Sequence, residues 1–231
     1  MQPELHPRAA YPAAAEISLQ QQRVLRNTYL LLALTMVPTV IGAMVGMSTA
    51  GMILQHPIVS TLVVLAAVIG LQFAIVANRD SGIGVGLLLL MTFILGWWLG
   101  PLLTVALALR NGPQLVGFAA AGTGVIFFVM AAIATTTRRD FSFMGKFLFV
   151  GMIVLLIAML ANMFLQIPAL ALTISALVIV VFSLFLLHDV SRIVNGGETN
   201  YVMATTGVYL SLFNIFANLL QLLMALTGER D

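Results

Sequence analysis

Seven runs of about twenty apolar residues, each closed by a short polar link, constrain this chain more than any motif it carries. They lie approximately at residues 28–47, 57–77, 83–109, 115–134, 147–165, 168–187 and 202–226. An α-helix rises about 1.5 Å per residue and a bilayer's hydrocarbon core is about 30 Å thick, so each run has the length of one crossing. The runs lack the period-two alternation of a lipid-facing barrel strand, and a helix satisfies its own backbone in lipid. The expected fold is all-α, a polytopic membrane bundle of seven helices. Composition agrees: 61% of the 231 residues are hydrophobic and 8% charged, where an average soluble domain has about 25% charged residues.

Residues 1–27 are polar, carry Pro3, Pro7 and Pro12, and contain no apolar stretch of signal-peptide length. They predict an uncleaved, mostly mobile tail with a short helix over residues 17–26, ahead of a transmembrane domain at 28–231. One set of links holds Arg8, Arg23, Arg26, Arg79, Arg138, Arg139, Lys146 and Arg192, and the opposite set only Arg110 and Arg230. Cytoplasmic loops retain positive charge, which places the amino terminus in the cytoplasm, the carboxyl terminus in the periplasm, and Trp97 and Trp98 near the outer interface. The third run is long, and Gly100-Pro101 inside it predicts a break or kink, because proline removes a helix hydrogen bond. Only Gln166 and Ile167 separate the fifth run from Pro168, which predicts a tight antiparallel hairpin. Gly42 and Gly46, Gly82 and Gly86, and Gly96 and Gly100 are spaced four apart, as in helices whose backbones approach closely, within one chain or between two.

Most chemistry is excluded by what is missing. With no cysteine there is no disulfide, thiolate metal site or cysteine nucleophile. A phosphate-binding loop ending at Gly145-Lys146 would need glycine where Asp140 stands, and His6, His56 and His188 do not form the HExxH spacing of a zinc protease. A retinal Schiff base needs a lysine in a span, and Lys146 lies in a link. No enzyme, cofactor, metal or nucleic-acid partner is expected; the bilayer is.

What remains is a set of polar residues in or near lipid. Asp189 follows the apolar run over 177–187, on a helix that Asn195-Gly196-Gly197 should stop. A carboxylate at that depth must face a partner or water, which makes it a candidate site. The other reading is a local ion pair with Arg192, three residues on and on the same face. His188 diverges from Asp189 by about 100° around the helix, so it is read as an interfacial residue rather than a proton partner. The last run carries Tyr209, Ser211, Asn214 and Asn218, a polar stripe that either glues helices by hydrogen bonds or lines a wet path.

The stretch HDVSRIVNGGETNYVMATTGVYLSLFNIFANLL, with RVLRNTY, LGWWLGP, TTTRRDFSFMGKF and ANMFLQIPAL, resembles the Bax-inhibitor family, in particular its proteobacterial YccA branch. The resemblance implies a bundle in which six helices surround a central seventh. It also implies two roles: association with the membrane-bound AAA protease FtsH, which such proteins restrain, or a pH-sensitive calcium leak gated by an aspartate pair on the sixth and seventh helices. Asp189 matches the first aspartate and Ser211 stands at the second. A lone acid beside a hydroxyl cannot titrate as a coupled pair and offers few hard ligands to calcium. The protease-modulator role is therefore expected first. A cation or proton path along the seventh helix, with Asp189, Arg192, Ser211 and Asn214 as its residues, is the alternative.

Overall fold

The computed structural model describes residues 11–137 and 139–228, with side chains from residue 19. They form α1 (Tyr11–Ser48), a short α2 (Ala50–Gln55), α3 (Pro57–Ala77), α4 (Gly82–Leu107), α5 (Gly112–Thr137), a 3-10 turn (Ser142–Met144), α6 (Gly145–Leu165), α7 (Pro168–Val194) and α8 (Tyr201–Thr227). Seven of these helices, all but α2, are long and apolar enough to cross a membrane. Large side chains such as Phe73, Phe128, Phe147 and Phe164 are each more than 70% exposed on the outer surface. That surface is untenable in water and ordinary in lipid. The chain is a membrane protein.

The last helix is the hub. α1, α3, α4, α5 and α7 all pack against α8, while α6 packs on α7. Leu88, Met91, Leu186, Val190, Val208, Tyr209 and Ile215 form the main core where they meet. Tyr209 is 1% exposed. Its hydroxyl shares a hydrogen bond with Thr39 Oγ1 on α1 at 2.8 Å and donates to the Thr92 carbonyl of α4 at 3.3 Å. One polar atom thereby joins three helices, the gluing that polar residues provide in lipid.

Two of the three glycine pairs form the closest seam, between α1 and α4. A Cβ on Gly42 would strike the Phe93 carbonyl, one on Gly46 the Trp97 carbonyl, one on Gly96 the Thr39 carbonyl and one on Gly100 the backbone of Gly46. The pairing is thus within one chain. Gly82 and Gly86, the third pair, meet nothing.

Of the break or kink expected at Gly100-Pro101, the break is corrected, since α4 runs through Pro101 as one helix. Proline withholds a single donor, the partner of the carbonyl four residues earlier. That carbonyl belongs to Trp97 and lies against Gly46, while the Trp97 ring nitrogen donates to Thr49 Oγ1 at 2.8 Å. The seam to α1 holds the helix together across the proline.

The helix expected over residues 17–26 is present as part of α1, and the mobile-tail expectation is corrected for residues 11–16, which belong to the same helix without a break; residues 1–10 lie outside the described residues. This stretch is rich in alanine, glutamine, leucine and arginine, good helix formers that extend an existing helix and so avoid the cost of nucleation. It is also docked. Val24 and Leu25 pack with Ile193 and Ala204. The Gln21 amide, oriented to satisfy both partners, donates to the Val194 carbonyl and accepts from the Gly196 N–H, each at 3.3 Å. The hairpin between α6 and α7 is as expected: Gln166 takes the left-handed conformation at φ 52° and the Asn162 side chain accepts from Ile167 N at 3.1 Å.

Candidate functional site

The candidate site lies where α7 ends and α8 begins. α7 stops at Asn195, Gly196 turns the chain at φ 77°, and residues 197–200 fold back over Arg192. The Arg192 carbonyl accepts from Gly197 N at 2.8 Å and Glu198 N at 3.1 Å. Its guanidinium donates to the Gly197 carbonyl at 3.0 Å and reaches Glu198 Oε2 at 3.4 Å. Glu198 Oε1 in turn accepts from Asn200 N at 3.0 Å. Asn200 caps α8, accepting from Val202 N and Met203 N at 3.0 and 3.1 Å, and its amide donates to the Arg79 carbonyl and Asp80 Oδ1 in the α3–α4 link. Each residue type in the run Gly-Gly-Glu-Thr-Asn therefore has a local duty except Thr199. On the neighbouring α5–α6 link, hydrogen bonds from the hydroxyl and N–H of Ser142 hold the exposed Asp140 carboxyl below its ordinary range.

Inside this clasp is a cavity of about 160 Å³ lined by Asp189, Arg192, Glu198, Gln72, Thr206 and Gly207, among others. Asp189 faces α8 at Gly207, where a Cβ would come within 2.6 Å of its Oδ2. The glycine makes room for the carboxylate. Gln72 Oε1, from α3, is buried with no hydrogen-bond partner. An acceptor in that state beside a carboxylate favours a donor or cation over an anion.

Two readings of Asp189 change. It does not pair with Arg192, whose acid partner is Glu198. The helix ends at Val194, two residues beyond Arg192, and the folded-back loop offers the guanidinium a carbonyl and a carboxylate together. His188, read as interfacial, is 8% exposed, and its Nδ1 lies 3.0 Å from Asp189 Oδ1. Adjacent side chains diverge at Cβ, but an imidazole nitrogen and a carboxylate oxygen two bonds further out can still turn together. The far edge of the ring rests on Gly145, whose Cβ would fall 2.8 Å from Nε2.

Asp189 and Arg192 thus share one cavity wall, and Ser211 and Asn214 do not line it. Ser211 is 2% exposed, one turn further along α8 than Gly207. Asn214 donates to the Leu210 carbonyl at 2.8 Å and Asn218 to the Asn214 carbonyl at 2.9 Å, so both amides bond within α8. Gln72, Glu198 and Gly207 were missed by sequence reasoning. Gln72 carried a signal, as the sole amide in the apolar run of α3; Gly207 carried none, because its role is to leave space.

The family model described as inhibitor of apoptosis-promoting Bax1 matches residues 21–228, which take in α1 from Gln21, every later helix and the whole clasp. The chain belongs to the Bax-inhibitor family. Among its relatives in that family is the Modulator of FtsH protease YccA of Escherichia coli K12, 41% identical over 89% of this chain and 91% of the relative. A counterpart in Escherichia coli O6:H1, at the same identity and coverage, is named Inner membrane protein YccA. An uncharacterized protein of Neisseria meningitidis serogroup A is 39% identical over 92% of this chain and 95% of its own length. Where these Bax-inhibitor family names state a role, it is inhibition or modulation rather than a reaction.

Proposed function

We propose that this protein resides in a bacterial cytoplasmic membrane, amino terminus inside and carboxyl terminus in the periplasm, and binds and restrains an FtsH-type AAA protease. The observation that carries this reading is the 41% identity, over nearly the full length of both chains, to a relative named for modulating FtsH. The architecture supports it. A docked α1 and a glycine seam make a bundle that resists extraction, as a restrainer must when its own target can degrade it.

Full-length protein is expected to copurify with FtsH from detergent-solubilised membranes and to slow degradation of a membrane substrate severalfold. Failure to copurify removes the proposal. The handle offered to the protease is assigned to the residues ahead of the docked Gln21 and Val24. Deleting residues 1–18 should relieve the inhibition, and unchanged inhibition would exclude the handle while leaving the binding result intact.

A second reading rests on the cavity, which is lined by both Asp189 and Gln72, whose Oε1 is unpartnered. In it, Asp189 is the proton-sensitive latch of a cation path. Asp189→Asn should then lower cation leak from reconstituted liposomes and flatten its pH dependence. Equal flux from liposomes with and without the protein disposes of this reading.

A further inference from the structure

α1 and α5 do not close backbone to backbone as α1 and α4 do. They leave a groove of about 590 Å³. Its walls are Tyr29, Ala33 and Met36 of α1 and Phe128 and Ala131 of α5, and Leu212 of the central α8 is its floor. At one end the rings of Tyr29 and Phe127 meet edge-on with centroids 5.9 Å apart. Apart from the Tyr29 hydroxyl the lining is apolar. The groove opens outward: Phe128 is 71% and Met36 41% exposed. Here the hub helix is reached directly from the membrane.

The register of α1 says what fills it. Residues three and four apart share a helix face. Arg26, three residues before Tyr29, extends the stripe of Tyr29, Ala33 and Met36 toward the arginine-rich end of the bundle, and Arg23, three before Arg26, stands beside Arg26, about 120° around the helix from Tyr29. Both are exposed, and neither is in an ion pair among the described side chains. An apolar slot with the Arg26 guanidinium one helical turn beyond it, and that of Arg23 beside Arg26, matches an amphiphile with a hydrocarbon tail and a phosphate head that the long arginine side chains reach. Basic residues beside an opening between helices are how membrane proteins select anionic lipids, and guanidinium is the cation best suited to phosphate.

We propose that the α1–α5 groove is a binding site for an anionic phospholipid, one acyl chain lying over Leu212 and the phosphate held by Arg26 and Arg23. The bilayer supplies such a ligand at solvent concentration. A transmembrane helix of a partner or a second copy would fill the slot with side chains, but would leave the two arginines without an anion.

The full chain in mild detergent, titrated with phosphatidylglycerol or phosphatidylcholine of identical chains and read by native mass spectrometry, tests this. Phosphatidylglycerol should be retained roughly tenfold more strongly than phosphatidylcholine, the size expected of two arginines near a lipid head. The double variant Arg23→Gln, Arg26→Gln, at exposed positions that leave folding intact, should bring phosphatidylglycerol down to the phosphatidylcholine level. Ala131→Trp, which fills the slot, should lose both adducts, while Val150→Trp on the 59% exposed face of α6 keeps them. Equal retention of the two lipids by the unmodified chain overturns the head-group assignment. Adducts that survive Ala131→Trp, that vanish equally in Val150→Trp, or that are replaced by a lipid-free dimer overturn the groove as a lipid site.

Discussion

Gly100→Leu is expected to lower the melting temperature of the detergent-solubilised protein by roughly 10 °C, while Gly86→Leu shifts it by no more than about 2 °C. The substitutions are chemically identical and differ only in what stands opposite. At Gly100 the new Cβ would collide with the backbone of Gly46, and backbone cannot turn aside as a side chain can. Relief requires α1 and α4 to separate along the seam that Gly42, Gly46 and Gly96 also form, with loss of the dispersion contacts that hold helices together where no hydrophobic force acts between them. Overpacking a core costs about 1–3 kcal/mol where side chains can adjust, and more where they cannot. At Gly86 there is open space. A Gly100→Leu protein that melts with the parent would show that α1 and α4 do not touch as described. Differential scanning fluorimetry on the paired variants is sufficient, with Trp97 and Trp98 as internal reporters beside the seam.

Arg192→Ala is the second large effect, expected to cost about 2 kcal/mol at neutral pH. The side chain closes the loop over residues 197–200, pairs with Glu198, and is the one cation among the described residues that line the cavity, which Asp189 also lines. Its removal leaves two acids on one wall and opens the turn that presents Asn200 to α8. The figure is below the 3–5 kcal/mol of a fully buried pair, because the Arg192 side chain is 38% exposed. The double variant Arg192→Ala, Glu198→Gln separates the parts: it removes the stranded acid and should recover about half the loss, the remainder being the loop hydrogen bonds. A double variant as unstable as the single would assign the whole effect to the loop.

The number of spans, the α6–α7 hairpin and the end of α7 at Asn195-Gly196-Gly197 were legible in the sequence because each has a local cause. Apolar run length, a two-residue link before proline, and paired glycines act within a few residues of where they stand. Pro101 misled because the local loss of one hydrogen bond is outweighed by packing against α1, a helix more than fifty residues earlier. The site was half legible. Asp189 and Arg192 stand out as charges in an apolar chain, yet their true partners, His188 and Glu198, depend on side-chain rotation and on a loop folding back. Gly207 opposite Asp189, and Gln72 from a third helix, follow only from how α3, α7 and α8 converge. Spacing along one chain carries no record of that convergence.

The docking of the amino-terminal part of α1 against the α7–α8 turn has a mechanical consequence. An axial load applied ahead of Gln21 enters one continuous helix, α1, and its first resistance is the Gln21, Val24 and Leu25 contacts. Behind them the glycine seam lies parallel to the direction of pull. Its contacts are therefore strained in shear and must fail together rather than peel one at a time, so the same adhesive energy withstands a greater force than it would if α1 were drawn sideways.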